Sequence, residues 1–271
     1  MQIAVIGAGL AGLAAAIEVS EGGNDVVVLE ASDGPGGRVR TDEVDGFRLD
    51  RGFQILLSAY PEAQSLLDYD ELDLRAFTPG ALVRIGDEFH QVADPLRAPA
   101  KLFGTAKAPI GSPLDKARIL AFRQSVSRGD LASLWKRPES TARFRLEKAG
   151  FSSTMIDRFL GPLFTGITLD PELGGSSRVL EFVFRMLSAG DAVVPARGMG
   201  RISDQLAARL PEGSLRLNTP VDAIEQGTVV LAGGERIEAD AVIVATDLDE
   251  ASRLAGTPAR DWRGVTSVWL A

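Results

Sequence analysis

The chain has 271 residues, 45% of them hydrophobic, with a formal net charge of −8, no cysteine and a single histidine, His90. That length buries a sizeable core as one large or two modest domains. The composition excludes disulfides, a cysteine nucleophile, a Ser-His-Asp triad and any thiolate or histidine-cluster metal site, and its acidity argues against general nucleic-acid binding.

The informative elements begin at the first residues. Gln2–Ile6 is a short apolar run that reads as a strand, and Gly7-Ala8-Gly9-Leu10-Ala11-Gly12 is a GxGxxG turn. Leu10 to about Glu21 then reads as a helix rich in good helix formers, stopped by Gly22-Gly23-Asn24. Asp25–Leu29 is a second apolar strand ending at Glu30. Strand, glycine turn, helix, strand and terminal acid make the fingerprint of a dinucleotide-binding βαβ unit. Gly7 allows the tight turn, Gly9 lets the backbone approach a pyrophosphate, and Gly12 lets the helix pack closely on the strand. The helix N-terminus offers free N–H groups and its dipole to the phosphates. Glu30 is placed to accept from a ribose hydroxyl, and its charge favours NAD or FAD over NADP. Spacing does not choose between those two.

Ala31–Thr41 reads ASDGPGGRVRT. Gly36 and Gly37 let the backbone pass close to a ligand, and Arg38 presents a planar fork suited to a pyrophosphate. Met1–Thr41 resembles the flavin-binding N-terminus shared by flavin amine oxidases, protoporphyrinogen oxidases and phytoene-type carotenoid desaturases. In that superfamily the terminal acid is followed by Gly-Gly-Arg and then Thr, here Glu30, Gly36-Gly37-Arg38 and Thr41. The resemblance implies FAD as cofactor, held by Gly7, Ala8, Gly9, Leu10, Ala11, Gly12, Glu30, Ala31, Gly36, Gly37 and Arg38. Gly46–Gln54 reads as a strand ending in a tight turn and resembles the superfamily segment that skirts the flavin ring system. That likeness adds Gly52, Phe53 and Gln54, with Gly52 as the close-approach position and Asp50 as a structural acid. Arg51 departs from the pattern, a cation where many relatives carry a small or apolar residue.

Leu82–Val92 reads as a hairpin turning at Gly86-Asp87, with His90 a surface or half-buried strand residue. Pro95–Pro113, rich in Pro, Ala and Gly, reads as a lid-like loop. Helices are predicted over Leu114–Ser127, Ser140–Ala149, Ser153–Leu160 and Arg178–Leu187. Phe159, Phe164, Phe182 and Phe184 are core residues first and substrate-wall candidates second. Arg97–Lys148 holds twelve Lys/Arg against four Asp/Glu, which reads first as a solvated helical surface and second as a face for a membrane or an acidic substrate.

Val193–Gly200 resembles the superfamily's Pro-x-x-Gly-Met-Gly entry into a helix, and Ile202–Leu210 has amphipathic spacing. Strands are predicted at Leu215–Leu217, Pro220–Ile224, Thr228–Leu231 and Glu235–Glu238. The continuous apolar run Ala241–Thr246 reads as a buried parallel strand. The resemblance implies that Val221 touches adenine through its backbone and that Val242–Ala245 ends beside the ADP moiety, adding Val221 and Ala245 to the site. Val221 as a plain strand valine fits the pattern nearly as well. Val265–Ala271 reads as a strand cut at the last residue. Superfamily members continue well beyond this point into a second glycine-rich flavin motif, so a C-terminally shortened chain is expected.

The expected fold class is α/β, a Rossmann-like FAD-binding domain over 1–70 and 196–250 with an inserted, mainly helical substrate domain over 71–195 and 251–271. The expected function is an FAD-dependent oxidoreductase passing a hydride equivalent from a C–H or amine substrate to the flavin. Gly161–Gly166 and Leu169–Leu173 lean towards the desaturase and protoporphyrinogen oxidase branches, which implies a small lipophilic substrate. Two alternatives stand beside it: a flavin isomerase like UDP-galactopyranose mutase, and a non-catalytic fragment binding FAD or its ADP half. No catalytic residue is assigned; Asp50 and Arg51 are the nearest polar candidates to the ring. With no 18-residue apolar span and a βαβ unit starting at Met1, a cytoplasmic protein without a targeting peptide is expected, peripheral membrane contact being the second reading. The sequence does not set the oligomeric state.

Overall fold

The computed structural model describes every residue except Phe53, Pro95, Leu96, Ala259, Arg260, Trp262 and Ala271. Its strands are β1 (Gln2–Ile6), β2 (Asp25–Leu29), β3 (Thr41–Val44), β4 (Phe47–Asp50), β5 (Leu56–Leu57), β6 (Leu74–Ala76) and β7 (Gly80–Ile85). They continue as β8 (Glu88–Ala93), β9 (Ala192–Pro195), β10 (Leu215–Arg216), β11 (Val221–Glu225), β12 (Thr228–Leu231), β13 (Arg236–Glu238) and β14 (Ala241–Val244). The helices are α1 (Leu10–Glu21), α2 (Pro61–Leu66), α3 (Tyr69–Leu72), α4 (Leu102–Lys107), α5 (Pro113–Val126) and α6 (Leu131–Trp135). After them come α7 (Ala142–Lys148), α8 (Ser153–Met155), α9 (Gly161–Thr168), α10 (Ser177–Ala189), α11 (Gly200–Ala208) and α12 (Leu248–Ala255).

The first sheet runs β10-β2-β1-β14, with every adjacent pair parallel. β1 is buried from Ile3 to Ile6, as a central strand covered on both faces must be. On one face α1 and α11 pack over Val5, Leu13, Ile17, Val28, Ile202 and Leu206. On the other, the antiparallel meander β11-β12-β13 closes Ala4, Ile6 and Leu29 under Val221, Val229 and Leu231. Strands 241–244 correct one expectation: β14 is half-buried rather than buried, because it pairs with β1 alone and stands at the sheet's edge.

A second, mainly helical core gathers Phe122, Val126, Leu146, Phe151, Met155, Leu160, Phe164, Leu180 and Phe184. Phe164 and Phe184 are buried in it, and Phe159 and Phe182 pack against it half-buried. Phe122 anchors its centre, edge-on to Phe151 and Phe184. Glu181, nearly buried, is neutralised by Arg137 at 2.8 Å and Arg145 at 2.5 Å. The helix predicted to end at Leu160 continues through a π turn over Ile156–Leu160 into α9. That wider turn precedes Pro162, whose missing N–H would interrupt a regular α ladder.

β7 and β8 form the predicted hairpin. The predicted loop Pro95–Pro113 is helical in part, with a 3₁₀ turn at Pro99–Lys101 leading into α4; Pro95 and Leu96 lie outside the described residues. Val265–Leu270 is irregular rather than a strand and pairs with no strand among the described residues, and Ala271, the end of the predicted strand, lies outside them. Among the described residues no helix is long and apolar enough to cross a membrane.

Candidate functional site

The glycine turn sits at the C-terminal end of β1, where open parallel sheets place ligands. Gly7 has φ +100, a conformation a side chain resists, and its N–H donates to the Leu29 carbonyl at 2.8 Å. A methyl on Gly7 would lie 2.8 Å from the Ala245 oxygen, and one on Gly12 would overlap the Gly7 carbonyl oxygen. These two glycines are therefore required by the protein's own packing. Gly9 differs: a methyl there meets nothing within 4 Å. Gly9 is the N-cap of α1, which has no side-chain cap and no acid in its first turn. Open space above Gly9 and an uncapped helix start make a cradle that fits a pyrophosphate.

Glu30 closes one side. Its Oε2 accepts the Ala8 N–H at 2.7 Å, and its Oε1 accepts the Ser32 N–H at 2.9 Å and the Ser32 hydroxyl at 2.7 Å. A carboxylate has roughly four acceptor positions, so Oε2 keeps one for a further donor. Beside it the chain ahead of Val221 runs along β2: Thr219 donates to the Glu30 carbonyl at 2.8 Å and Asn218 to the Ser32 carbonyl at 2.9 Å. Val221 itself is buried, and its carbonyl accepts from Arg253 at 2.8 Å. Ala31 is exposed between these segments.

The Gly-Gly-Arg loop forms the other side. Gly36 donates to the Ala8 carbonyl at 2.7 Å and bridges Gly9 in parallel. A methyl on Gly37 would lie 3.5 Å from the Gly9 Cα. The Arg38 side chain is exposed and forms no ion pair among the described residues. Gly52 presses on the Arg38 backbone, where a methyl would overlap the Arg38 carbonyl oxygen. Leu10 and Ala11 are exposed on the first turn of α1, and the Ala245 N–H donates to the Ile6 carbonyl at 2.8 Å.

The sequence candidates beyond Gly52 and around Asp50 are not gathered at the glycine turn among the described residues. Gln54 is exposed in irregular chain and makes no hydrogen bond to the glycine turn among the described residues, and Phe53 lies outside the described residues. Arg51 is engaged with Asp42, by bonds of 2.6 and 2.7 Å, and these bonds hold the Asp42 carboxyl below its usual range. Asp50 is structural: its Oδ1 accepts the Thr41 hydroxyl at 2.5 Å and the Met199 N–H at 2.9 Å. Sequence reasoning missed Ser32, whose position two residues beyond an acid is a local signal, and Ser203, which has none. Ser203 donates to the Val39 carbonyl at 2.8 Å across 164 residues of chain.

The profile of the flavin containing amine oxidoreductase family matches residues 10–268. The chain belongs to this family. Among its relatives, a phytoene dehydrogenase of Streptomyces griseus is 26% identical over an alignment of 293 positions that covers 96% of this chain and 57% of that protein. A protoporphyrinogen oxidase 2 of Arabidopsis thaliana is 28% identical over 176 positions, 65% of this chain and 32% of the relative. The alignments thus span 57% and 32% of these relatives' lengths. An oxidoreductase from Methanosarcina mazei shares the fold with a TM-score of 0.70 at 19% identity, over 94% of this chain and 61% of that one. Membership in a flavin-containing family resolves the choice that spacing left open: the cofactor is FAD.

Proposed function

We propose that the glycine turn, Glu30 and Arg38 hold the ADP half of FAD, and that the chain supplies the cofactor-binding part of an oxidoreductase for lipophilic C–H substrates. The observation that carries this reading is the contrast between Gly9 and its neighbours: Gly7 and Gly12 are filled by the protein, and Gly9 faces open space. The α1 N–H groups and helix dipole neutralise the pyrophosphate, Arg38 adds a planar two-donor fork, and the free Oε2 position of Glu30 takes a ribose hydroxyl. Val221 and Ala245 line the same end of the sheet. Once bound, a flavin supplies the acceptor for a hydride equivalent from the substrate. The chain's own part is positioning, and no acid–base residue is assigned.

We propose a cofactor domain over 1–70 and 196–250 and a substrate domain over 71–195 and 251–271; the separate cores around Val5 and Phe122 support two units, and Leu57, Leu72, Val193 and Leu254 pack across these bounds. The desaturase and protoporphyrinogen oxidase side is favoured by the names of the relatives, phytoene dehydrogenase and protoporphyrinogen oxidase.

The test is an absorption spectrum after incubation with FAD and desalting. Wild type should keep the flavin bands and Gly9→Val should lose them. A colourless wild type overturns the cofactor site, and a coloured Gly9→Val overturns its location. Polyenes, tetrapyrroles and amines offered under air then separate the branches; turnover of amines alone would sink the lipophilic assignment.

A further inference from the structure

The bonds around Thr41 join two parts of the chain that no sequence motif connects. The Thr41 hydroxyl donates to Asp50 at 2.5 Å and accepts the Gly200 N–H at 2.8 Å. Asp50 takes the neighbouring Met199 N–H at 2.9 Å. Gly198 and Gly200 make room for this residue: methyl groups there would lie 2.5 Å from the Thr41 hydroxyl and 2.8 Å from the Thr41 nitrogen. One turn further along α11, Ser203 holds the Val39 carbonyl at 2.8 Å, and Gly36 sits so close that a methyl would be 2.6 Å from the Ser203 oxygen. The loop is therefore bonded to α11 at Val39 and Thr41, after Arg38, while Gly36, before it, packs closely against Ser203 and donates to the Ala8 carbonyl.

The Arg38 side chain contrasts with its backbone. It is exposed and unpaired among the described residues, whereas the adjacent Arg40 is spent on Asp33 at 2.8 Å. The backbone that carries this guanidinium is preorganised, because ordering the loop is completed in folding; only the side chain is ordered on binding.

We propose that α11 and the β3–β4 hairpin act as a positioning platform for Arg38, with Thr41 as the pin, so that the Gly-Met-Gly helix serves the cofactor without touching it. The proposal rests on the FAD reading above. Thr41, Asp50 and Ser203 are positioning residues that act through Arg38.

A double-variant cycle tests it, with FAD affinity followed by flavin fluorescence for wild type, Thr41→Val, Arg38→Ala and the pair. Valine keeps the shape of threonine but can neither donate to Asp50 nor accept from Gly200. The FAD dissociation constant should rise about tenfold for Thr41→Val when Arg38 is present and less than about twofold in the Arg38→Ala background. Thr41→Ser, which keeps the hydroxyl, should restore near wild-type affinity. Equal losses in both backgrounds overturn the platform and leave Thr41 a residue of general stability. Should Thr41→Val fail to fold, Ser203→Ala releases the second attachment and is read against Arg38→Ala by the same two outcomes. A wild type that takes up no FAD overturns the functional reading and the platform with it. A wild type that binds FAD without coupling overturns the platform alone.

Discussion

Ala8 donates its backbone N–H to the Glu30 carboxylate at 2.7 Å, which ties the glycine turn to the end of the second strand. Ser32 adds two donors to the same carboxylate. Glu30 is thus a structural residue of the turn before any ligand arrives. Replacing it by glutamine puts an NH2 group where an acceptor is needed, facing Ala8 or Ser32. Glu30→Gln should lose about 1–2 kcal/mol of stability, read as a lower urea midpoint, as well as flavin affinity. An unchanged midpoint would show that the carboxylate bonds add nothing to the fold.

The glycines separate folding from binding. A methyl at Gly12 collides with the Gly7 carbonyl, a backbone atom that cannot swing away. Gly12→Ala should cost about 2–4 kcal/mol, visible in thermal melting without any ligand. Gly9 has φ −68 and open space beside it, so Gly9→Ala should cost the fold about 1 kcal/mol at most, as an N-cap change. Gly9→Ala should nonetheless weaken FAD binding. Normal affinity in Gly9→Ala would move the pyrophosphate away from this turn.

Among the described residues Arg38 makes no ion pair. Arg38→Ala should change stability by no more than about 0.5 kcal/mol and raise the FAD dissociation constant about 10- to 100-fold, the range of a charge-assisted bond. Arg38→Lys should recover only part of the loss, since an ammonium cannot form the planar two-donor contact. Full recovery by lysine would reduce the contact to simple charge.

Asp115 is expected to contribute to acid stability in the helical part. It is buried; burial by itself pushes its carboxyl up, and donors from Ser152 and Ser112 outweigh that and hold it well below the usual range. It completes the capping box at the start of α5 and accepts the N–H and hydroxyl of Ser152, which caps α8. A depressed folded value stabilises the protein above the unfolded carboxyl's range, about pH 4, and the stabilisation fades as pH falls through the folded value. Asp115→Asn should therefore be less stable than wild type by about 2–3 kcal/mol at pH 7, with the gap narrowing below about pH 4. Urea unfolding at both pH values measures it; a gap constant with pH would assign the loss to shape rather than charge.

What was legible in the residues followed chain distance. β1, α1 and β2 form with the predicted bounds because apolar strands, good helix formers and a glycine stop are all local signals. The hairpin at Gly86-Asp87 and the meander strands were readable for the same reason. The short α4 inside a segment rich in Pro, Ala and Gly was not, since its helix is a matter of tertiary context rather than composition. Nor was the π turn before Pro162, which depends on how a continuous helix accommodates a residue without an N–H. The half-buried state of β14 was missed because hydrophobicity reports an apolar strand, not how many neighbours it pairs with.

By itself, the sequence determined the βαβ unit, the cofactor type its family carries and the glycines that shape the cradle, because each lies within one short stretch with its own local chemistry. Only the tertiary structure decided which glycine is left open, which cation is free and what holds it there. The Gly-Gly-Arg motif singles out Arg38 in the chain, but only folding commits Arg40 to Asp33 and Arg51 to Asp42 and leaves Arg38 exposed. Thr41 and Ser203 acquire their roles from partners more than 150 residues away in the chain, a relation that only packing between α11 and the Gly-Gly-Arg loop can create.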